Sequence, residues 1–413
     1  MQPSSVPISQ HHSKLYYGVI VVIASFFILL AYSAARSAFS IFFNPVIQEY
    51  HWSAALLSGV FSLSIIMDGG SGILWGRICD KLGPRRVLII CGILAGTGYI
   101  LAGFVQSLWQ MYIIYGLIVG IGMGGIFNPV ATTVPRWFVA RRNTAQGVAV
   151  AGLGVGTFII SPIAYWLVSR FSWHYAYVVI GIAFIAIILI GAMFMKSDPA
   201  QIGEKPYNKT GKNDKILKNT TRDFSLSEAI KTPQIWITIC MFFCFGYSMI
   251  SLSVHLVPHI INIKISPAIA ANVLAMVGAF NIVGRLSFGA IGDRIGSLQA
   301  YAVGFALAFV SLFALLFIRE AWMLFAFAAV WGFCSGGIGS VQTTVIAELF
   351  GLKSLGLIFG VCGLGVMIGG SIGPVVTGYL FDVQGNYTIA FIACAVFTIL
   401  GIVFNYWVRH YHH

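Results

Sequence analysis

Residues 76–86 read GRICDKLGPRR, and residues 289–296 read GAIGDRIG. The second stretch repeats the first at an offset of 213 residues, with both glycines, the acidic residue and the following cation in matching places. Each stretch follows a long apolar run, so each is a charged loop at the end of a hydrophobic helix. The chain therefore contains a duplicated unit with this loop after its second helix.

The same offset holds at separate places along the chain. It relates Pro45 to Pro258, Trp75-Gly76 to Phe288-Gly289, and Gly147, Gly152 and Gly156 to Gly360, Gly365 and Gly369. Two repeats of six spans are typical of secondary transporters, whose substrate site lies between the repeats near the membrane midplane.

The composition identifies lipid as the main solvent. Of the 413 residues, 58% are hydrophobic and 9% are charged, against about 25% charged in soluble domains. About 20 apolar residues cross a hydrocarbon core, and twelve such runs occur. The predicted spans are 16–45, 54–76, 86–105, 109–133, 144–168, 173–196, 235–258, 268–290, 298–318, 321–349, 355–380 and 387–408. The predicted fold is all-α and polytopic, with twelve transmembrane helices in two pseudo-symmetric six-helix bundles.

The repeats divide the chain into three parts. Residues 1–195 are predicted to form the N-terminal six-helix bundle and residues 233–413 the C-terminal one. Residues 196–232 are rich in Lys, Asn, Asp and Thr, which indicates a solvated cytoplasmic linker.

The net charge of +12 is a topology signal. Nearly all Lys and Arg residues lie on alternate connections, and the other side receives only Arg170, Lys264 and Arg319. By the positive-inside rule, both termini are predicted to be cytoplasmic in a multi-pass protein of the cell (inner) membrane. No nucleic-acid partner is expected, and the lipid bilayer is the partner of most of the surface.

Other function classes lack their sequence features. No HExxH motif and no His/Asp cluster lies in a span, so an enzyme is not expected. The seven cysteines show no CxxC pairing, and no metal or cofactor is expected. A channel would require a ring of like residues along a pore, which the scattered charges do not provide.

Four ionisable residues stand out because they lie away from the ends of the connecting charged loops, inside predicted spans: Arg36, Asp68, His255 and Arg285. A charge at the bilayer centre costs at least about 2.5–3.5 kcal/mol, so such residues mark functional sites. Arginine cannot shed its charge, and two fixed cations against one carboxylate leave room for an anionic ligand. Arg36 is a candidate for substrate binding, with structural pairing to Asp68 as its alternative. Asp68 lies near the cytoplasmic end of span 2, where it can act in gating or packing or contact the substrate.

A guanidinium matches a carboxylate bidentately, which makes Arg285 the first candidate for substrate binding. Asn281 lies four residues earlier on the same helix face, where it can hold Arg285 or bond a substrate oxygen. His255 is either a ligand or proton-coupling residue or an ordinary histidine at the outer rim. An apolar pocket around a small ligand is assigned to further residues, each of which has packing as its alternative role: Tyr115, Asn128, Trp331, Phe359 and Cys362.

The repeated loops suggest a conformational latch. Asp80 and Arg85 in the first loop, and Asp293 and Arg294 in the second, can form ion pairs that break and re-form as the two halves rock. The alternative is a pair of basic loops with turn glycines. This pattern resembles the signature loop of the major facilitator superfamily.

Three segments resemble the monocarboxylate transporter family and its bacterial oxalate/formate-type relatives. They are residues 36–43 (RSAFSIFF), Arg136-Trp137-Phe138 with Arg141-Arg142, Gly147, Ala149, Ala151 and Gly152, and Gly284-Arg285. The resemblance covers nearly the whole chain. It implies a transporter of lactate-like or pyruvate-like anions, commonly coupled to a proton.

The resemblance also identifies departures. In that family a lysine of span 1 and an Asp/Arg pair of span 8 carry substrate and proton. Here Arg36 stands at the lysine position, Arg285 at the arginine position, and Asn281 replaces the aspartate. Neither replacement exchanges a proton near neutral pH, so Asp68, His255 or the substrate's own proton has to serve.

The residues of span 11 bear on how many carboxylates the substrate carries. Relatives that move oxalate are expected to carry a second cation there, where this chain has Phe359 and Cys362. One carboxylate is therefore favoured, although Arg36 weakens this inference. The sequence predicts a proton-coupled carrier of small monocarboxylate anions that works as a monomer by alternating access. The alternative is a dicarboxylate or organic anion exchanger of the oxalate/formate type.

Overall fold

The computed structural model describes residues 16–138, 142–204, 224–351 and 355–410. Within these ranges, twelve helices are long and apolar enough to cross a membrane, which confirms the predicted fold class. They are α1 (Tyr17–Tyr50), α2 (Ala54–Leu82), α3 (Pro84–Ala102), α4 (Leu108–Met111, Tyr112–Val119 and Gly120–Trp137 in one run), α5 (Arg142–Arg170), α6 (Trp173–Phe194), α7 (Pro233–Asn262), α8 (Pro267–Ile295), α9 (Ser297–Leu315), α10 (Ala321–Phe350), α11 (Leu355–Gln384) and α12 (Thr388–His410).

Local sequence explains the tight connections that follow α2 and α8. Gly83 and Gly296 occupy equivalent places with φ of 81° and 90°, a region that residues with a side chain rarely adopt. The chain thus reverses within one residue, and α3 and α9 begin immediately afterwards. Both glycines belong to the repeated loops that first indicated the duplication.

Helix packing in the first six helices is repeated in the last six. Helix α1 packs against α5, α2 against α4, and α3 against α6. The corresponding pairs α7 and α11, α8 and α10, and α9 and α12 are also in contact. The repeated sequence thus produces a repeated arrangement of helices.

The most extensive contacts between the first six and the last six helices are α5 with α8, α2 with α11, and α1 with α7. Glycines make the first contact close, because a Cβ on Gly154 would meet Ile282 of α8 and the Gly278 carbonyl oxygen, the latter at 2.9 Å. On the same helix, Gly152 and Gly156 lie against the α1 backbone at Phe26 and Leu30. Helix α5 is therefore held closely between α1 and α8.

The contacts between the halves lie toward one end. There the hydroxyl of Ser40 donates to the Val254 carbonyl at 2.8 Å. The amides of Ala54 and Ala55, at the start of α2, each donate to the Asp382 carboxylate of α11 at 2.9 Å. We call this the closed end; it is where α1 and α11 end and α2 begins.

At the opposite end the same helices separate. A Cβ added to Gly76, Gly147, Gly289 or Gly360 would meet no atom within 4 Å. These glycines lie at the end of α2, the start of α5, the end of α8 and the start of α11. We call this the open end, because the cleft between the halves widens toward it.

Candidate functional site

Arg36 is paired with a carboxylate inside the first six helices. Its Nη1 donates to Asp68 Oδ2 at 2.7 Å and to the Tyr32 hydroxyl at 2.8 Å. The Tyr32 hydroxyl donates to the same carboxylate oxygen at 2.7 Å. The side chains are only 25% and 17% exposed for Arg36 and Asp68. The structure therefore pairs Asp68 with Arg36, and a role of Asp68 in gating or packing stays a prediction.

Aromatic rings surround this pair. The Arg36 guanidinium carbon lies 5.5 Å from the centre of the Phe61 ring, where a cation is attracted to the ring face. Tyr115 and Tyr99 line a small hollow together with Arg36 and Asp68. Tyr115 belongs to a π-helical stretch of α4, Tyr112–Val119, and such irregularities are frequent at functional sites.

Arg285 is held differently. Its Nε donates to Asn281 Oδ1 at 2.9 Å, and Asn281 Nδ2 donates to the Ser335 hydroxyl of α10 at 3.1 Å. Among the described residues, no carboxylate lies within ion-pair distance of Arg285, and its two terminal nitrogens have no hydrogen-bond partner. Gly339 leaves space beside it, because even a Cβ there would lie 3.9 Å from Nη2.

The guanidinium groups of Arg36 and Arg285 lie at similar depth in the protein, although their Cα atoms do not. Ser33 and Ser37 on either side of Arg36 contact the Thr157 hydroxyl at 2.9 and 2.8 Å. Thr157 in turn lies 3.0 Å from a Cβ built on Gly278 of α8. This series of contacts connects the level of residues 33–37 in α1 with the level of residue 278 in α8.

Both guanidinium groups lie on the open side of that level, because Arg36 reaches from its Cα toward the open end and Arg285 reaches from its Cα toward the closed end. Arg36 reaches back one turn to Tyr32, and Arg285 reaches back one turn to Asn281. Because α1 and α8 run in opposite directions, the two side chains extend toward each other along the membrane normal, and their guanidinium groups end at similar depth. Tyr32 and Asn281 are each about 4–5 Å from the common level at about 1.5 Å per residue.

His255 lies at the closed end. Its Nε2 lies 3.0 Å from both the Ser58 hydroxyl and the Pro374 carbonyl oxygen, and its Nδ1 lies 3.3 Å from the Tyr387 hydroxyl. A carbonyl oxygen only accepts, so Nε2 carries the hydrogen and Nδ1 accepts from Tyr387. The ring is fully buried and links the two halves through Ser58.

The remaining predicted lining residues occupy several places. Asn128 Nδ2 donates to the Gly72 carbonyl at 2.9 Å and so ties α4 to α2. Trp331 is buried and lines a second hollow that includes Ser335. In α11, Phe359 is half-buried and Cys362 is buried.

The loop residues predicted to form a latch are described only in part. Arg85 and Arg294 are exposed. The side chains of Asp80 and Asp293 lie outside the described residues. The predicted ion pairs of these loops thus remain a prediction.

Three positions near these groups were not singled out from the sequence. Tyr32 lies four residues before Arg36, so helical spacing alone indicates that the two can meet. Ser335 and Asp382 contact residues that are distant in sequence, and no local pattern identifies them.

The comparisons with known proteins extend over nearly the whole chain. The family model described as Major Facilitator Superfamily matches residues 25–321 and 256–412. Monocarboxylate transporter 13 of Rattus norvegicus is 29% identical over 406 residues, covering 93% of this chain and 87% of that protein. The uncharacterized MFS-type transporter YhjX of Escherichia coli (strain K12) is 26% identical over 315 residues, 75% of each chain.

A solved structure shares the fold. The bacterial homologue of the human lysosomal transporter Spinster, in its inward-facing and occupied conformation, superposes with a TM-score of 0.77. It is 15% identical, and the superposition covers 96% of this chain and 98% of the other.

Proposed function

The chain belongs to the major facilitator superfamily and is related to the monocarboxylate transporters, and from this premise we propose that it carries small monocarboxylate anions such as lactate or pyruvate. It is a transporter and not an enzyme. In the proposed cycle, units 1–195 and 233–413 rock about a central site, and 196–232 links them in the cytoplasm. The carrier acts as a monomer in the cell membrane, with both termini cytoplasmic.

The observation that carries this proposal is the free guanidinium of Arg285. An arginine without a counter-ion among apolar helices is costly, and an anionic ligand would offset this cost. Its terminal nitrogens are without protein partners in the described part of the chain, so they can receive one carboxylate as a pair of parallel hydrogen bonds.

Asn281 would position this cation. Its oxygen accepts from Arg285 and its nitrogen donates to Ser335, which fixes the plane of the guanidinium. The apolar part of the substrate would then contact Trp331, Phe359 and Cys362, while Tyr115 and Asn128 lie on the side of the first six helices.

For proton coupling, the proposal places His255 before Asp68. The Asp68 oxygen that faces Arg36 already accepts two hydrogen bonds, whereas Nδ1 of His255 has one weak donor at 3.3 Å. Protonation of Nδ1 would replace this accepted bond by a second N–H donor in the closed end. Proton binding would thereby act directly on the contact between the halves. On the opposite face, the loops with Asp80, Arg85, Asp293 and Arg294 would form the second gate.

The dicarboxylate exchanger has less support. It would need a second unpaired cation near Arg285, and Arg36 is occupied by Asp68 at 2.7 Å.

The test is uptake of radiolabelled L-lactate into proteoliposomes, with and without an inward proton gradient, in competition with pyruvate, oxalate and a neutral sugar. We expect gradient-stimulated, saturable uptake that pyruvate reduces and the sugar does not. Arg285→Gln should abolish saturable uptake, while His255→Gln should remove the gradient dependence more completely than Asp68→Asn does.

Other outcomes would contradict the proposal. Uptake driven only by oxalate loaded on the opposite side would identify an exchanger. Unimpaired uptake by Arg285→Gln, at equal amounts of inserted protein, would remove Arg285 from the site.

A further inference from the structure

The pairing of Arg36 determines how many free positive charges the central region offers. Arg36 and Arg285 are the two arginines within the described spans that lie far from the helix ends. Asp68 cancels the charge of Arg36, and no described carboxylate cancels that of Arg285. The sum at this depth is one uncompensated positive charge.

We infer that Asp68 sets the charge of the substrate, by masking Arg36 so that the carrier accepts a monoanion and rejects a dianion. This inference rests on the proposed function and deepens it. It assigns Asp68 to specificity, because its carboxylate occupies the place where a second substrate carboxylate would bind.

The geometry supports a shared site. Both guanidinium groups lie about 4–5 Å from the level of Thr157 and Gly278, toward the open end. Helix α5 contacts both α1 and α8, and its glycines keep both neighbours close. In the proposed site, a dicarboxylate with one end on Arg285 turns its other end toward Arg36, whose guanidinium lies at the same depth.

Asp68 holds Arg36 through few atoms. Among the described residues, only Nη1 of the guanidinium has partners, and it contacts Asp68 through one oxygen. Replacement of Asp68 by Asn removes the negative charge, keeps the shape and leaves an amide oxygen that can accept from Arg36 or Tyr32. The freed charge of Arg36 would then favour a second carboxylate.

The experiment compares malonate, a dianion at pH 7.5, with L-lactate. For wild type, Asp68→Asn and the double variant Arg36→Gln/Asp68→Asn, the inhibition constant of malonate is measured against L-lactate uptake. We expect Asp68→Asn to bind malonate about tenfold more tightly relative to lactate, a ratio that corresponds to about 1.4 kcal/mol. The double variant should return to the wild-type ratio.

Tyr32→Phe is the matched control, because it removes the hydroxyl that bonds Asp68 and Arg36 and keeps both charges. Its malonate-to-lactate ratio should stay at the wild-type value. The inference is overturned if Asp68→Asn leaves the ratio unchanged, or if the double variant keeps the gain.

A binding measurement covers variants that do not transport. The concentration of malonate that raises the unfolding temperature of the purified protein by a fixed amount should fall about tenfold in Asp68→Asn; an unchanged concentration would refute the inference. The same measurement separates it from the proposed function. If wild type moves no lactate but Asp68→Asn gains malonate binding, the charge rule stands and the proposed substrate fails.

Discussion

Arg36 and Arg285 are alike in type, burial and depth, yet they differ in what holds them. Arg36 donates to a carboxylate and a hydroxyl, whereas Arg285 donates to a single amide oxygen. A cation with its own counter-ion is satisfied without a ligand. A cation held only by a neutral group remains uncompensated, which lowers the stability of the protein and favours the binding of an anion. Each half therefore treats the same residue type differently.

The difference between the two arginines should appear most strongly in transport when each is changed to lysine in a separate variant. Arg285→Lys loses the fork that receives a carboxylate, so kcat/KM for L-lactate should fall at least about 100-fold, or about 2.7 kcal/mol. Arg36→Lys keeps a charge that pairs with Asp68 as a point contact, and its loss should stay within about fivefold. Initial rates in proteoliposomes measure both; equal losses would show that the two cations share one task.

Asn281→Asp would make the surroundings of Arg285 resemble those of Arg36, because it would give Arg285 a counter-ion too. Saturable lactate uptake at pH 7.5 should fall about tenfold, because the new carboxylate competes with that of the substrate. Protonation of the new carboxyl group removes its charge and frees Arg285, so uptake should rise as the pH falls. Asn281→Ser introduces no charge and serves as the control. A pH profile of Asn281→Asp that matches this control would contradict the role of a counter-ion.

The smallest expected effect concerns stability, and here the two arginines should differ in sign. Arg36→Gln leaves Asp68 without its cation and should lower the free energy of unfolding by about 1–2 kcal/mol. Arg285→Gln removes an uncompensated charge and should leave stability unchanged or raise it slightly. Thermal unfolding in detergent measures both, and Asp68→Asn should restore part of the loss in the Arg36→Gln background. A similar loss from both single variants would indicate that Arg285 has a partner too.

The fold could be predicted from the sequence because lipid imposes length and composition on every span. The twelve predicted spans correspond to the twelve helices, and the offset of 213 residues reappears as repeated helix packing. Three boundaries differed by five residues or more. Spans 2 and 8 were predicted to end at residues 76 and 290, but α2 and α8 continue through most of the repeated loops to Leu82 and Ile295. Span 1 was predicted to end at residue 45, but α1 continues through Pro45 to Tyr50. Proline lacks the backbone N–H that would donate one helical hydrogen bond. Phe43 and Val46, on either side of it, are both buried, and their tertiary packing maintains the helix.

The candidate site could be predicted only where helical spacing controls it. Asn281 and Arg285 are four residues apart, and the structure has them hydrogen bonded. Whether Asp68 reaches Arg36 depended on the rotation and distance of two helices, and spacing along one helix cannot supply these. The contacts of Ser335 and Asp382 depend on helix pairs that join distant parts of the chain, and so does the position of His255 in the closed end.

The Asp382 carboxylate that accepts from the first amides of α2 has no counterpart across the repeat. The matching positions are Ser169 in place of Asp382, and Pro267, which has no amide hydrogen, in place of Ala54. The internal two-fold symmetry is thus broken at one seal. We expect the unloaded carrier to rest with its cleft facing a single side of the membrane. Substrate on that side can bind directly to the exposed site. Substrate on the other side can bind only after the contacts at the closed end have broken. Flux in the two directions should then reach half its maximum at different concentrations, while the final equilibrium stays the same.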